Sequence, residues 1–214
     1  YYGRLAGWYT AGGFTDESGR RHQSGHHFKI DYWEVLNEIE PEHAIDARKY
    51  TKLYDRIVTE VRKVSPQTKF VGLALGRPRL AAETFEYFLD PKNHEPGIPL
   101  DMISYHFYAV PTVDQSSEVQ QYTVWDQAEG FVTNIRYVEQ IRKRLSPGTG
   151  TMINEVGAIS ADDILQRQPG HVMKPIPGSY WNLTGAMFAY LYGECANLVI
   201  DVIAASQLVG YPTQ

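Results

Sequence analysis

The feature that most constrains the fold is the alternation of short β-prone runs with longer amphipathic segments along the 214 residues of the chain. β-branched and aromatic residues fill the short runs, which predicts strands, and apolar residues three to four positions apart predict helices between them. Strands separated by helices pair in parallel through right-handed crossovers. The predicted strands are residues 30–36, 69–75, 100–108, 150–156 and 198–204.

Helical periodicity is clearest over residues 47–64, which follow Asp46 and end before Pro66. A proline disfavours helical backbone at the residue that precedes it, so we expect the helix to stop there. The other predicted helices run from the first residues to about Gly12 and over 80–89, 117–145 and 180–195.

Two segments carry weaker signals. Residues 13–27 are polar and rich in glycine, and we predict a loop there. Gly130 lies inside the long helical segment, where we predict a break.

Two architectures are compatible with parallel strands joined by helices: a doubly wound sheet and a β/α barrel. No glycine-rich phosphate loop follows any predicted strand, which removes the main support for a nucleotide-binding sheet. A complete barrel takes eight strands and about 250 residues. We therefore predict the α/β class and an incomplete (β/α)8 TIM barrel, with residues 1–214 forming one partial catalytic domain.

Composition excludes several classes of partner and cofactor. The net charge is -5 and no long basic run is present, so neither nucleic acid nor an anionic membrane surface is an expected partner. No apolar segment approaches the roughly 20 residues that span a bilayer. Cys195 is the single cysteine, so neither an internal disulfide nor a thiolate metal cluster can form. We predict no metal and no cofactor.

The first residues, YYGRLAGWYTAGG, lack the charged start and apolar centre of a signal peptide. We interpret the chain as beginning within a longer protein, without its early strands. An isolated fragment with open sheet edges is expected to aggregate and to be inactive. The sequence does not determine the cellular compartment, and we favour an extracellular or secretory location.

Polar residues stand where three of the predicted strands end. In β/α barrels, catalytic side chains project from the carboxyl ends of the strands. Asn37 and Glu38 follow the first predicted strand, His106 and Tyr108 end the third, and Glu155 ends the fourth. The two glutamates come from strands three units apart, so we expect them to face each other across the barrel opening.

Two carboxyl groups in different ionisation states are what hydrolysis of a glycosidic bond requires. One protonates the leaving oxygen, and the other stabilises or attacks the anomeric centre. A separation of about 5–5.5 Å gives retention of configuration, whereas about 6.5–9.5 Å leaves room for a water and gives inversion. The sequence alone leaves this distance open.

The patterns WEVLNE and INEVG resemble those of the retaining glycoside hydrolases of clan A, with family 39 the most similar. The resemblance implies that the strands are numbers four to eight of the barrel. It implies that Glu38 is the general acid/base and Glu155 the nucleophile, and that Asn37 hydrogen-bonds the sugar 2-hydroxyl. It also assigns His106 and Tyr108 to substrate binding as the His-x-Tyr of the sixth strand, where the tyrosine can hydrogen-bond the nucleophile. The implied substrate is an oligosaccharide, polysaccharide or glycoside.

The chain departs from the family pattern at the end of the last strand. Many of these enzymes carry a tryptophan there, but this sequence has Ser206 and Gln207. We therefore take Trp181, at the start of the preceding helix, as the aromatic residue that binds substrate.

Two alternatives stay open. The first is a non-catalytic β/α barrel that binds carbohydrate on its tyrosine and tryptophan rings. The second is a metal-dependent hydrolase that uses a cluster of histidine and glutamate side chains. It predicts that His22, His26 and His43, with Glu40 and Glu42 nearby, converge within about 4 Å of one point.

Overall fold

The computed structural model describes residues 1–110, 116–159, 170, 172 and 178–206. Five strands form one parallel sheet in the order β3-β4-β5-β6-β7, and β1 and β2 form a separate two-stranded sheet. The fold is α/β, an incomplete (β/α)8 barrel, as the sequence predicts. The strands are β1 Gly13–Thr15, β2 Arg21–Gln23, β3 Tyr32–Glu34, β4 Lys69–Leu75, β5 Met102–Ala109, β6 Gly150–Ala158 and β7 Val202–Ala205.

The helices coincide with the segments predicted to be helical, and apolar periodicity is clearest over Ala47–Arg62. The Asp46 side chain accepts a hydrogen bond from the Lys49 backbone N–H and so caps the second helix. Within the described residues, no helix is both long enough and apolar enough to cross a membrane. The helices are α1 Tyr2–Thr10, α2 Ala47–Arg62, α3 Ala82–Leu89, α4 Ser117–Leu145 and α5 Gly178–Asn197.

The predicted loop over residues 13–27 is wrong in part, because β1 and β2 form an antiparallel hairpin there. Phe14 pairs with His22 across the hairpin, and their rings stack with centroids 4.9 Å apart. Asp16 accepts hydrogen bonds from the backbone N–H groups of Ser18 and Arg20 and closes the turn. A cross-strand ring pair and a turn residue thus outweigh the polar composition.

The predicted break of the long helix at Gly130 is wrong, because α4 runs without interruption from Ser117 to Leu145. A glycine inside a helix costs about 0.5–1 kcal/mol relative to alanine. The neighbouring residues Ala128, Phe131 and Ile135 are buried, and their packing outweighs that cost.

The outer strands of the sheet are displaced from the predicted boundaries. The predicted strand 30–36 is reduced to β3, and after it Leu36 leaves the extended conformation with a left-handed φ of 63°. The predicted strand 198–204 begins only at Val202, because the chain first finishes α5. There the Ile200 N–H donates to the Cys195 carbonyl, and Val199 is left-handed with φ 59°.

The chain divides into two compact units. The first comprises Tyr1–Gly76, Ala81–Ser104 and Ile141–Gly150, and the second comprises Arg77–Leu80, Tyr105–Gln140 and Thr151–Gln214.

The core of the first unit is aromatic. Tyr50 and Tyr54 of α2 pack against Phe88 of α3, and all three are fully buried. The hydroxyl of Tyr50 donates to the Val35 carbonyl, and the hydroxyl of Tyr54 donates to the Pro99 carbonyl. These two hydrogen bonds attach α2 to the chain on either side of it.

The second unit contains β6, β7 and α5. Strands β6 and β7 are parallel, with Met152 opposite Val202 and Ile153 opposite Ile203. Asp201 accepts a hydrogen bond from the Thr151 backbone N–H and holds this register. Apolar residues of α5 are buried and form part of the core of this unit.

Candidate active site

In the first unit, Asn37 and Glu38 lie in the loop that follows β3. Glu38 has a left-handed backbone with φ 40°, which is uncommon for a residue with a side chain. Its carbonyl accepts a hydrogen bond from the Glu42 N–H, and Asn37 Nδ2 lies 3.3 Å from Glu42 Oε1. The neighbouring Ile39 is buried and anchors the loop in the core.

A distorted stretch of β4 lies in the same unit. Leu73 and Ala74 are fully buried and left-handed, with φ 82° and 46°. The Leu73 N–H donates to Tyr50 Oη over 2.7 Å, and the Ala74 N–H donates to Ser104 Oγ over 3.1 Å. Two side chains therefore satisfy backbone donors that a regular strand would pair with its neighbour.

Glu34 completes this network, because the Ser104 hydroxyl donates to Glu34 Oε1. Ser104 thus links the carboxylate on β3 with the backbone of β4. Glu34 is not among the site residues predicted from the sequence. The available signal was a charged residue inside the otherwise apolar run IDYWEVL.

In the second unit, Tyr108 and Glu155 form a direct hydrogen bond. The Tyr108 hydroxyl lies 2.7 Å from Glu155 Oε2 and 2.8 Å from Ser206 Oγ. A phenol has a single hydrogen, which the Glu155 carboxylate and the Ser206 hydroxyl oxygen can both accept. The hydrogen bond expected between this tyrosine and the glutamate is present.

His106 lies on the other side of the same carboxylate. Its Nδ1 is 3.5 Å from Glu155 Oε2, and its side chain is fully buried. The Glu155 side chain is 32% exposed. The carboxylate is therefore held by protein groups through one oxygen and stays accessible to a small molecule.

Ser206 is a site residue that sequence reasoning treated only as a departure from a family pattern. It follows β7, and its N–H donates to the Val156 carbonyl. This hydrogen bond places its hydroxyl beside Tyr108. Its position directly after a strand was the signal that could have identified it.

Trp181 lies on the first turn of α5 and is 39% exposed. Its ring contacts Tyr180 edge to face, with centroids 5.7 Å apart. The Tyr180 hydroxyl donates to the Ala158 carbonyl, at the end of β6. The start of α5 is thus attached to the strand that carries Glu155, and the role of Trp181 in binding stays a prediction.

The alternative of a metal site built on His22, His26 and His43 is not supported by the described residues. His22 bonds Asp16 and stacks on Phe14, and His26 stacks on Tyr9 and on Phe28. Within the described residues of the first unit, these histidines do not join any group of three side chains close enough to share an ion. Residues 22 and 26 lie in and after a strand, so they lack the helical spacing that would bring two histidine rings onto one face.

Fold and side chains together define a partial β/α barrel with polar residues at the ends of its strands. No protein-family model matches the chain, and no curated protein sequence matches it. Several solved glycosidase structures match its fold. A GH51 arabinofuranosidase from Xanthomonas axonopodis pv. citri has a TM-score of 0.68 and 14% identity, over 99% of this chain and 44% of its own.

Two further solved glycosidase structures also match the fold of this chain. An α-L-arabinofuranosidase from Thermotoga maritima has a TM-score of 0.58 and 16% identity, over 96% of this chain and 40% of its own. A GH39 β-xylosidase from Caulobacter crescentus has a TM-score of 0.51 and 16% identity, over 85% of this chain and 34% of its own. At these identities the likeness shows the fold. The chain spans less than half of the length of each of these structures.

Proposed function

We propose that the chain is the catalytic part of a retaining glycoside hydrolase, with Glu155 as nucleophile and Glu38 as general acid/base. The observation that carries the proposal is the hydrogen bond from Tyr108 to the partly exposed carboxylate of Glu155 on β6. The glycosidase names of the solved structures with this fold support it. Similarity to family 39 in particular remains part of the proposal.

The proposal requires Glu38 and Glu155 to approach each other over the carboxyl ends of the parallel strands. β3 and β6 are three positions apart in the strand order. Carboxyl ends of parallel strands meet at one edge of the sheet, which is where β/α barrels assemble their sites. Retention of configuration requires a separation of about 5–5.5 Å between the two carboxyl groups.

In the first step, a carboxylate oxygen of Glu155 forms a bond to the anomeric carbon while the bond to the leaving oxygen breaks. Glu38 donates its proton to that oxygen. Tyr108 and His106 both contact Oε2 of Glu155, so we assign the attack to Oε1. In the second step, Glu38 takes a proton from a water that attacks the anomeric carbon, and the ester to Glu155 breaks. The two inversions give net retention.

Asn37 is proposed to bind the sugar 2-hydroxyl. Its amide is 3.3 Å from Glu42 Oε1, a long contact to a group near the surface. A sugar hydroxyl can replace this acceptor at little cost. Trp181 is proposed to offer its exposed ring face to the substrate, because aromatic rings pack well against sugars.

The test is turnover by the full-length protein with Glu155→Ala and Glu38→Ala variants. Each is expected to lose several orders of magnitude in rate on an unsubstituted phenyl glycoside, whereas the exposed Glu129→Ala control keeps full activity. Azide supplied to Glu155→Ala should give a glycosyl azide of inverted configuration, and azide supplied to Glu38→Ala should give one of retained configuration. Normal turnover by both variants contradicts the proposal.

A non-catalytic carbohydrate-binding barrel is the second candidate. It is supported by a groove of about 450 Å³ in the first unit, which offers aromatic rings and one cation. It predicts sugar binding without turnover, and unchanged affinity in Glu38→Ala and Glu155→Ala. The groove is lined by Tyr1, Arg4, Leu5, Trp8, Tyr9 and Phe14.

A further inference from the structure

Gly76 follows β4 and leaves space that the Glu38 side chain fills. A Cβ atom built on Gly76 would lie 2.6 Å from Glu38 Oε1, 2.8 Å from its Cδ and 3.2 Å from its Cγ. Two of these distances are shorter than real Cβ atoms show. The carboxyl group of Glu38 therefore lies directly on the backbone at Gly76.

The requirement for glycine at this position is one of space. Gly76 is absent from the glycines with positive φ, such as Gly12 and Gly97, so its backbone is open to any residue. The atoms that a methyl group would meet belong to the far end of a flexible side chain. An added methyl group would displace the Glu38 carboxyl and leave the strand in place.

The backbone that leads to Gly76 is fixed by buried side chains. Leu73 and Ala74, three and two residues before it, have left-handed backbones and donate hydrogen bonds to Tyr50 and Ser104. Ser104 in turn donates to Glu34. A stretch held in this way sets the position of the residue that follows it within a narrow range.

We propose that Gly76 is a positioning residue for Glu38, and that the network of Glu34, Ser104 and Tyr50 fixes Gly76 for this role. The inference rests on the proposed function of Glu38 as the acid/base. Backbone contact on one side limits the rotamers of the carboxyl group and aims it at the leaving oxygen. If the Glu38 carboxyl group loses this orientation, proton transfer to the leaving oxygen slows, whereas the attack by Glu155 is unaffected.

The dependence on the leaving group separates this role from a structural one. A good leaving group, such as 2,4-dinitrophenolate, departs from a glycoside with little help from an acid. An unsubstituted phenol or an alcohol needs the proton to depart. A variant that only weakens the fold lowers the rate on both substrates equally. A variant that displaces Glu38 lowers the rate on the poor leaving group more.

The experiment compares Gly76→Ala with the unchanged full-length protein on a phenyl and a 2,4-dinitrophenyl glycoside. We expect kcat/KM to fall about 10- to 100-fold on the phenyl glycoside. On the dinitrophenyl glycoside we expect a fall below about threefold. Gly130→Ala is the matched control, because a Cβ at that position meets no atom within 4 Å. It should leave both rates unchanged.

A second variant covers the case in which Gly76→Ala does not fold. Ser104→Ala removes the hydroxyl between Glu34 and the Ala74 N–H, and the same preferential loss on the phenyl glycoside is expected. Equal losses on both substrates, or no loss, in a folded variant overturn the inference.

Glu38→Ala separates the two proposals. If it shows the leaving-group dependence and Gly76→Ala does not, the positioning role alone is wrong. If the unchanged protein turns over neither substrate, the proposed function is wrong and the positioning role falls with it.

Discussion

The Tyr108 hydroxyl donates a hydrogen bond to Glu155 Oε2 over 2.7 Å and so joins the ends of the neighbouring strands β5 and β6. The two residues are 47 positions apart in the chain. A charge-assisted hydrogen bond of this kind contributes about 1.5–3 kcal/mol and fixes direction as well as distance. It orients one carboxylate oxygen and leaves the other for chemistry.

Replacing Tyr108 with phenylalanine should therefore lower kcat by about 10- to 100-fold and leave KM nearly unchanged. The reason is that the ring still fills its space while the carboxylate loses its donor. Tyr137→Phe is the control, because this tyrosine of α4 is 40% exposed. Steady-state kinetics of both variants provide the measurement, and an unchanged kcat for Tyr108→Phe argues against a role for the hydrogen bond.

Ser206→Ala should lower kcat by about 2- to 10-fold, less than the loss at Tyr108. Its Oγ lies 2.8 Å from Tyr108 Oη, so we expect it to act on Glu155 only through that phenol. The double variant Tyr108→Phe and Ser206→Ala should therefore lose no more than Tyr108→Phe alone. Additive losses in this double-mutant cycle would show that Ser206 acts by another route.

His94 and Asp55 form a buried pair that should be important for stability. His94 Nδ1 lies 2.7 Å from Asp55 Oδ1, and its Nε2–H donates to the Phe88 carbonyl over 2.6 Å. Removal of His94 leaves the buried Asp55 carboxylate without the imidazole that contacts its Oδ1. We expect His94→Ala to lower the free energy of unfolding by about 3 kcal/mol.

Urea unfolding measures this change, with the more exposed His43→Ala as control. The side chains of His94 and Asp55 are only 2% and 4% exposed, which is why solvent does not weaken the pair. A loss of less than about 1 kcal/mol would place this pair in the class of surface ion pairs.

Stability at acidic pH should depend on Asp46. The Lys49 backbone N–H, which donates to its carboxylate, holds the pKa of Asp46 below its usual value of 3.8. The pKa is lower in the folded protein, so the stabilising contribution is complete above the unfolded pKa and is lost as the pH falls through the folded pKa. Asp46→Ala should lower the unfolding temperature at pH 7, and the difference from the unchanged protein should shrink below about pH 3. A difference independent of pH contradicts this assignment.

Cys195 should resist thiol reagents in the folded protein. Burial, with a smaller contribution from the charge of Glu194, raises the pKa of its thiol to about 11. The thiolate is the reactive form, so the reaction at pH 8 should be about 100-fold slower than for the unfolded chain. Absorbance with an aromatic disulfide reagent, with and without urea, measures both rates. Equal rates would show that Cys195 is accessible in the folded state.

Sequence reasoning succeeded where a signal is local and repeated. Strand β4 coincides with the predicted residues 69–75, because an unbroken apolar run is typical of a strand buried on both faces. Helix α2 begins after Asp46 as predicted, because capping and periodicity agree. The catalytic roles of Glu38 and Glu155 stay predictions, as do the roles in substrate binding of Asn37, His106, Tyr108 and Trp181.

The sequence by itself determined the class of this protein: alternating strands and helices, parallel pairing, and polar residues at the ends of the strands. Only the tertiary structure decided which side chains meet, as when Ser206 reaches Tyr108 across 98 positions and Glu38 rests on Gly76. The physical reason is that periodicity and capping act over a few residues. Hydrogen bonds and close contacts within a site depend on distances that strand pairing and core packing set.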